Sequence, residues 1–585
     1  MSGKSKIRVQ AMLLLSLVFV LGVIISRNYA VIRGAETIHA GGANPTPSPS
    51  ISPMPIKNEP TPEPTPPEPT PEPLPEFAPY AVDSTRPELL IASTGIMSDG
   101  VIVDTYAAAE TERVDFGFGH EYAATVEGIT TFRGNSFRES ASYGFADITQ
   151  GTLQASWTAT TSSIQAPDGE VWTGHCWTGQ PLIVKWPKAT RAIMTNMNAW
   201  AREQDELIEA VYAGADGYIY YLELETGKAT RDKQYLGMTC KGSGSLDPRG
   251  YPILYVGAGY HGPRGQSRAF IISLIDGSIL HEFGHNENFA LRGWPMFDSS
   301  PLICAETDQL IYTSENGILY IIKLNTKYDE AAGTLSIEPE TLKWRYQGTR
   351  HAGYWLGFET SPVIWRSYVF MGDNGGRLMC LDLNTLELVW VQDVLDDTNC
   401  TPVLELEDGH PYIYIGTSNR VGLRAPNANG TYLIPVWKID AVTGEIVWQT
   451  DFNCYSAQGL SGGVQGSIAL GQHDLSDLIF VPVSRTPNGS TGRIVALNKQ
   501  TGAQVWFKES ALYAWSSPVC VYTEEGKGYV IYCTTGGYMY LLDGLTGATL
   551  SELNLGGNIE ASPAVYESTA VVGTRAQQVY GITLK

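Results

Sequence analysis

A serine flanked by glycines is the first pattern in this chain that could carry chemistry. Residues 459–463, Gly-Leu-Ser-Gly-Gly, match the Gly-x-Ser-x-Gly pattern of a nucleophile elbow, which requires a strand before the serine and a helix after it. Residues 464–470 instead read as a strand. Because a chain with 61 glycines produces this pattern by chance, we interpret it as non-catalytic.

Two histidines and a glutamate form a second pattern: on a helix, the imidazoles of His281 and His285 would share one face, close to Glu287, and could hold a metal. The segment follows a strand-like run at 278–280 and contains Gly284, and glycine disfavours a helix. We therefore expect surface histidines in a connection between strands and predict no metal there.

The third pattern is a group of hard oxygen donors, Asp396, Asp397 and Asn399, of the kind that calcium prefers. The group does not have the regular alternating spacing of a calcium-binding loop. We interpret it as a solvated turn.

A larger set of aromatic and charged side chains recurs between strand-rich segments of the chain. Rings with interspersed charges, gathered at one place, can stack on a sugar or a quinone or anchor a peptide. The alternative is that these rings pack in the protein interior. We predict that nine of these residues bind a ligand: Trp177, Arg292, Trp294, Arg350, His351, Trp355, Glu359, Tyr455 and Trp515.

The elements that position this set are copies of one repeat, which is most legible at residues 517–553. Four short strands are predicted there, at 518–522, 529–534, 538–543 and 548–553, rich in β-branched and aromatic residues and separated by turns that contain glycine. A single antiparallel sheet of this size is marginally stable in water. It therefore needs neighbours of the same kind.

Two recurring signals indicate those neighbours. A Ser-Pro or Thr-Pro dipeptide opens the first strand of several copies, and a tryptophan follows the closing turn at Trp390, Trp448 and Trp506. Copies of about 40 to 45 residues with four strands each are typical of a β-propeller. The predicted fold class is all-β.

The two ends of the chain are predicted to share one blade. Residues 153–157 read as a fourth strand without a first three, while 562–565, 570–573 and 578–582 read as three strands without a fourth. Joining them closes the ring and removes exposed sheet edges. First strands are predicted near Pro181, Pro252, Pro301, Pro362, Pro402, Val464, Pro518 and Pro563. Fourth strands are predicted near Trp157, Ala229, Ile279, Leu342, Leu388, Ile446, Gln504 and Thr549. Eight first strands and eight fourth strands predict an eight-bladed propeller. Seven blades remain possible, because the strand pattern is weak in two of the copies.

The closing turns carry a family resemblance. Residues 439–448 and 497–506 combine an Asp or Asn, a Thr-Gly pair and a Trp, and 542–547 repeats the Asp and the Thr-Gly pair. Over residues 150–585 the chain resembles the quinoprotein, or PQQ-type, propeller repeat. In that repeat the Asp or Asn caps the turn, the Gly takes the left-handed conformation, and the Trp packs between neighbouring blades.

The resemblance implies two different functions, because this repeat serves two branches. One branch contains dehydrogenases that hold pyrroloquinoline quinone (PQQ) with calcium, and the other contains non-catalytic scaffolds such as the outer-membrane assembly lipoprotein. The chain lacks the adjacent Cys-Cys pair of many of the dehydrogenases, and its first cysteine, Cys176, is too far along to be the lipidated residue of the lipoprotein.

The N-terminal region predicts export. Lys4, Lys6 and Arg8 precede an apolar run at 11–25, typical of a signal anchor, with a cleaved signal peptide as the alternative. The predicted domains are a cytoplasmic tip and membrane segment at 1–30, an extended Pro/Thr/Glu-rich linker at 31–79, a β embellishment at 80–150 and the propeller at 151–585.

Composition limits the partners. The chain has 39 basic and 61 acidic residues and a formal charge of -22, which opposes nucleic-acid binding. Eight cysteines are interpreted as buried apolar residues, and a Cys520–Cys533 disulfide stays an alternative.

From these observations we predict a membrane-tethered, extracytoplasmic propeller. It acts as a non-catalytic binding or scaffold module for a cell-envelope glycan, peptide or protein, and no cofactor is predicted. The alternative is a dehydrogenase that uses PQQ and calcium.

Overall fold

The computed structural model describes residues 78–585 except 124, 178, 351–355, 420–423 and 458. The predicted membrane segment, and the predicted linker up to residue 77, lie outside the described residues. In the part of the chain that is described, no helix combines the length and the apolarity needed to cross a bilayer.

Eight antiparallel sheets in the described residues form the blades of a β-propeller, which confirms the predicted fold class and the higher blade count. We number the blades 1 to 8 along the chain. Before them lie β1 (Ile91–Ser98), β2 (Val101–Val103), β3 (Gly128–Ile129), β4 (Ser142–Tyr143), β5 (Leu153–Thr160), β6 (Ser163–Gln165) and β7 (Val171–Thr173).

Blades 1 to 4 run from residue 182 to residue 393. Blade 1 contains β8 (Leu182–Lys185), β9 (Ile208–Ala213), β10 (Tyr218–Glu223) and β11 (Gln234–Tyr235), with helices α1 (Lys188–Ile193) and α2 (Ala199–Glu203) between β8 and β9. Blade 2 contains β12 (Ser245–Leu246), β13 (Ile253–Gly257), β14 (Ala269–Ser273) and β15 (Ile279–Phe283). Blade 3 contains β16 (Leu302–Cys304), β17 (Gln309–Thr313), β18 (Ile318–Lys323) and β21 (Glu340–Gly348), with a hairpin of β19 (Lys327–Asp329) and β20 (Thr334–Ser336) inserted. Blade 4 contains β22 (Val363–Trp365), β23 (Tyr368–Gly372), β24 (Arg377–Asp382) and β25 (Leu388–Asp393).

Blades 5 to 8 complete the ring. Blade 5 contains β26 (Val403–Glu407), β27 (His410–Gly416), β29 (Tyr432–Asp440) and β30 (Ile446–Cys454). Blade 6 contains β31 (Gly462–Val464), β33 (Leu478–Ser484), β34 (Gly492–Asn498) and β35 (Gln504–Ser510), extended by β28 (Ser418–Asn419) and β32 (Ala469–Leu470). Blade 7 contains β36 (Val519–Tyr522), β37 (Gly528–Cys533), β38 (Tyr538–Asp543) and β39 (Thr549–Asn554), and blade 8 contains β40 (Ala564–Tyr566), β41 (Thr569–Thr574) and β42 (Gln578–Leu584). Short 3-10 helices lie at Pro87–Leu89, Glu110–Glu112, Gly119–Glu121 and His473–Leu475.

The ring closes as the sequence predicts. β5 pairs antiparallel with β42, from Leu153 opposite Leu584 to Thr160 opposite Gln578, and so supplies the fourth strand of blade 8. Strands from near the two ends of the propeller region thus share one sheet.

Two predicted strand positions are wrong. The inner strand of blade 2 is β12, and Pro252 instead precedes the second strand, β13. In blade 1 the fourth strand is β11, whereas Ala229 makes only an isolated bridge to Leu222. β11 and β12 contain only two residues each, so the sequence there has too few alternating residues to indicate a strand.

Tryptophan side chains join neighbouring blades, which confirms the predicted role of the repeat. The indole Nε1 of Trp157, Trp390, Trp448 and Trp506 donates to a carbonyl of the following blade at 2.8, 3.1, 2.8 and 3.0 Å. In each case a glycine of that blade lies against the indole with a positive φ, where a Cβ would clash: Gly227, Gly444, Gly502 and Gly547. Only glycine fits this close approach without strain.

Residues 127–143, which we call the axial segment, fill the central channel. β3 pairs with β8 of blade 1, and the carbonyl oxygens of Thr130, Ser136, Phe137 and Ala141 accept hydrogen bonds from the inner strands of blades 2, 4, 5 and 8. The predicted embellishment therefore lies partly inside the propeller. The rest of it adds β1 and β2 to the outer edge of blade 3.

The Ser-Pro and Thr-Pro steps form a belt around the channel. The backbone N–H of Ser300 donates to Ser361 Oγ at 2.9 Å, and that of Ser361 donates to Thr401 Oγ1 at 3.1 Å. The same contact joins Ser517 to Ser562 at 3.0 Å. Each step thus links one blade to the next.

All eight cysteines are buried and free. In the sheet of blade 7, Cys520 lies opposite Val530 and Cys533 lies opposite Met539. The two side chains are not cross-strand partners, so the alternative of a Cys520–Cys533 disulfide is wrong.

The closing blade offers a matched test of its energetics. Trp157 and Trp448 are each 9% exposed and make the same contacts with the next blade, one at the closure and one inside the ring. We expect Trp157→Ala and Trp448→Ala to lower the free energy of unfolding by similar amounts, about 3–5 kcal/mol, in urea denaturation. A loss for Trp448→Ala with none for Trp157→Ala would contradict the closure.

Candidate functional site

The predicted ligand-binding residues lie in connections from the fourth strand of one blade to the first strand of the next, which all lie at one mouth of a propeller. The turns between second and third strands reach the same mouth. We call the joined set at this mouth the funnel: Trp172, Trp177, Lys241, Tyr260, Arg292, Trp294, Asp298, Glu315, Glu359, Asn374, Asp397, Trp515 and Glu560.

One side of the funnel is an aromatic wall around a lysine. The ring centroids of Trp177 and Trp515 are 5.4 Å apart with edge-on geometry, and those of Trp172 and Tyr260 are 5.2 Å apart. The ammonium of Lys241 lies 4.7 Å from the ring centroid of Trp177, 5.3 Å from that of Trp172 and 5.7 Å from that of Tyr260. These distances are within the range of cation–π attraction.

The other side is acidic and begins at the same lysine. Lys241 Nζ lies 3.1 Å from Asp298 Oδ2, and Arg292 Nη2 lies 3.7 Å from Glu315 Oε2. Burial raises the pKa of Asp298 to about 6 and raises the pKa of Glu315 well above its usual value, and the charge of Glu359 adds to both effects. The two buried carboxyl groups therefore favour a shared proton.

An asparagine extends the acidic side. Arg292 Nη1 donates to Asn374 Oδ1 at 3.2 Å, and Asn374 Nδ2 donates to Glu359 Oε1 at 2.8 Å and to Asp397 Oδ1 at 3.0 Å. Glu359 Oε2 is buried and has no hydrogen-bond partner in the described residues. It is an acceptor that a donor on a ligand would satisfy.

The structure brings five of the nine predicted residues together: Trp177, Arg292, Trp294, Glu359 and Trp515. Trp294 joins the wall through Tyr260 at 6.5 Å and lies 5.8 Å from the Arg292 guanidinium.

The other four predicted residues do not join the funnel through a described contact. Arg350 is held by both carboxylate oxygens of Asp393, at 2.7 and 2.5 Å. Tyr455 is 37% exposed, and its backbone N–H donates to the carbonyl of Arg485. His351 and Trp355 lie outside the described residues.

Eight members of the funnel are not among the nine predicted residues, and four of them illustrate why. Glu315 and Asn374 lie in tight turns between second and third strands, at 313–317 and 372–376, and the position of those turns at the same mouth was the signal that could have found them. Lys241 lies in the poorly patterned blade 2 region. Asp397 was assigned to a solvated turn, and that assignment is wrong, since Asp396 and Asp397 are 0% and 3% exposed.

The two remaining chemical patterns have different outcomes. His281 is half-buried in strand β15, so the prediction of a surface residue in a connection is wrong for it, and Glu287 pairs with Lys343 at 2.6 Å. Ser461 precedes strand β31 rather than a helix. In the described part of the chain, no group of three His, Cys, Asp or Glu side chains has the geometry of a metal site.

Comparisons with known proteins agree with the repeat. The family profile described as outer membrane protein assembly factor BamB matches residues 337–506 and 490–585. BamB of Legionella pneumophila is 27% identical over 214 residues, which are 36% of this chain and 47% of that protein. The dehydrogenase subunit of a quinone alcohol dehydrogenase of Gluconacetobacter polyoxogenes is 24% identical over 283 residues, 38% of this chain and 37% of that protein.

Among solved structures, a quinohemoprotein alcohol dehydrogenase of Pseudomonas putida superposes with a TM-score of 0.52 at 11% identity, over 82% of this chain and 83% of that one. At this identity the likeness shows the fold alone. The chain is thus similar to PQQ-like repeat proteins over residues 337–585, and its described residues form a β-propeller. It spans less than half the length of the two curated relatives named above.

In the funnel of this PQQ-like propeller the cations lie close to carboxylates. PQQ is a flat tricarboxylate, so positive side chains or a bound calcium ion would have to balance its charge. Lys241, Arg292 and Arg575 each lie within 3.1 to 3.7 Å of a funnel carboxylate, respectively Asp298, Glu315 and Glu560. Carboxylates outnumber cations here, which disfavours an anionic ligand that binds without a metal ion.

The carboxyl pair predicts a pH dependence of stability. Because both pKa values are raised in the folded state, the stability that the protonated forms contribute is present at low pH and is lost as the pH rises through about 6 for Asp298. Glu315→Gln removes one titrating group, so the variant should lose less stability than the unchanged protein as the pH rises. We expect the unfolding free energy of the variant minus that of the unchanged protein to be larger at about pH 8 than at about pH 5, by on the order of 1–3 kcal/mol.

Thermal and urea denaturation at both pH values would measure this difference. The exposed Glu445→Gln, in the closing turn of blade 5, is the matched control and should show no such change. A Glu315→Gln variant whose stability follows the unchanged protein at both pH values would contradict the shared proton.

Proposed function

We propose that the chain is a non-catalytic binding or scaffold module of the cell envelope that holds a basic segment of a peptide or protein in the funnel. The observation that carries this proposal is the array of aromatic rings and carboxylates, contributed by six of the eight blade junctions and by two turns between second and third strands. Large rings supply apolar contact at low entropic cost, and buried carboxylates select positive charge.

Lys241 shows how a basic side chain of a ligand could be bound in the funnel. Its ammonium lies at the same time beside a carboxylate, Asp298, and over three aromatic rings. Glu359 presents a similar carboxylate, but no Lys or Arg of the described residues lies within ion-pair distance of it. A Lys or Arg side chain of a ligand would complete this second position.

Two features support a cell-envelope location. The N-terminal sequence has a basic, apolar and Pro-rich order typical of an export signal followed by a stalk. Two of the proteins to which the chain is similar are named as outer membrane protein assembly factors. We propose that the propeller is extracytoplasmic and that its N-terminal segment tethers it to a membrane.

A binding assay with short peptides tests the funnel. Fluorescently labelled hexalysine is titrated with the purified full chain, with Nε-acetylated hexalysine and hexaglutamate as matched probes. We expect hexalysine to bind more tightly than either, and Glu359→Gln to weaken it by about tenfold. Trp515→Ala should weaken it as well, because the aromatic wall is lost.

Glu445→Gln, which removes the same charge from the exposed turn of blade 5, separates site binding from general attraction to an acidic protein. Equal hexalysine affinity for Glu359→Gln and Glu445→Gln would contradict a funnel site. Tight binding of an uncharged envelope glycan, with weak hexalysine binding, would move the partner class from peptides to glycans.

The dehydrogenase alternative has its own test. The full chain is titrated with PQQ and calcium, followed by absorbance and by the melting temperature. We expect neither a saturable spectrum nor a rise in melting temperature, since a ligand that binds the folded state must stabilise it. Saturation at micromolar PQQ would overturn the non-catalytic proposal.

A further inference from the structure

Two fully buried arginines of the axial segment differ in how well they are satisfied. Arg138 donates four side-chain hydrogen bonds, from Nε to Pro362 O, from Nη1 to Thr131 Oγ1 and Phe132 O, and from Nη2 to Ser300 O. Arg133 donates only two, from Nε to Arg138 O at 2.8 Å and from Nη1 to Pro518 O at 3.1 Å. Three of the five N–H groups of Arg133 thus have no acceptor in the described residues.

Neither arginine has a described counter-charge. The ionisable groups that act on Arg133 are the thiols of Cys520 and Cys400, and the group that acts on Arg138 is the phenol of Tyr122. All of these are neutral at pH 7. Burial lowers the pKa of Arg133 to about 10 and of Arg138 to about 9, so both stay protonated. Two positive charges therefore lie on the axis, and buried charges are costly unless they are compensated.

A glutamine beside Arg133 adds further unsatisfied donors. Gln180 is 1% exposed, its Oε1 accepts the backbone N–H of Arg133 at 3.2 Å, and its Nε2 is buried without a partner in the described residues. The unsatisfied groups of Arg133 and Gln180 are all donors. This pattern calls for an acceptor with negative charge.

We propose that a small inorganic anion of the size of chloride binds in the central channel between the Arg133 guanidinium and the Gln180 amide. Water would satisfy the same donors, but water would leave the positive charge of the channel uncompensated. The anion is assigned to the Arg133 side because the N–H groups without a described acceptor belong to Arg133 and Gln180, whereas Arg138 donates four side-chain hydrogen bonds. This site is independent of what the funnel binds.

The test compares sodium chloride with sodium gluconate at equal ionic strength, because gluconate is too large for a packed channel. With the full chain we expect the melting temperature to rise with chloride concentration and to saturate, as binding to the folded state requires. If the melting temperature in chloride equals that in gluconate at every concentration, the anion proposal is wrong and water is the better account of the channel.

Two isosteric variants place the effect at this site. Gln180→Glu keeps the acceptor for the Arg133 N–H and supplies a carboxylate, so we expect a folded protein that no longer responds to chloride. Gln165→Glu makes the same change at an exposed position of β6 and should respond as the unchanged protein does. Persistence of the chloride response in Gln180→Glu would overturn the assignment.

A crystal soaked in bromide gives a direct readout. The expected anomalous peak lies beside Arg133 Nη2 and Gln180 Nε2, and it should be absent in Gln180→Glu. No peak at this position in the unchanged protein would contradict the proposal.

Discussion

The structure depends on hydrogen bonds at the centre of the ring, where the axial segment both accepts from the inner strands and donates to carbonyls of the Ser-Pro steps. Each Ser-Pro or Thr-Pro step joins neighbouring blades through its Ser or Thr. The proline that follows has no N–H, so it leaves only a carbonyl oxygen. Carbonyls of Ser300, Pro362 and Pro518 accept from Arg133 and Arg138, which supply donors but cannot accept. A channel built in this way requires the axial segment in order to satisfy its polar groups.

This constraint explains which parts of the fold the sequence could predict. The closing turns are local, because Asp440 Oδ1 accepts from the N–H of Val442 and Thr443 within one turn, and the same geometry recurs at Asn498 and Asp543. A pattern that satisfies itself within ten residues repeats visibly in the sequence. The axial segment is different, since Arg133 and Pro518 lie 385 positions apart. No repeating pattern in the sequence indicates a contact between residues so far apart.

The candidate site follows the same division. Trp177 and Trp515 were predicted because tryptophan in a connection is conspicuous, and the fold brings their rings to 5.4 Å. Glu315 and Asp397 were missed because a carboxylate in a turn usually reads as solvated. Their burial arises only when blades 3, 4 and 5 place Arg292, Asn374 and Glu359 around them. Charge networks of this kind are made by the ring, and a single repeat does not contain them.

The way in which the chain enters the propeller bears on how the funnel can work. The backbone N–H of Tyr80 donates to Val442 O, and Thr85 Oγ1 donates to Thr443 O, so the first described residues contact a turn between the third and fourth strands of blade 5. Those turns lie at the mouth opposite to the funnel, because successive turns of a blade alternate between the two faces. Residues 80–85 and the funnel therefore lie on opposite faces of the propeller. A ligand of the funnel would approach the aromatic and acidic residues from the face opposite to this contact, which agrees with the binding role proposed above.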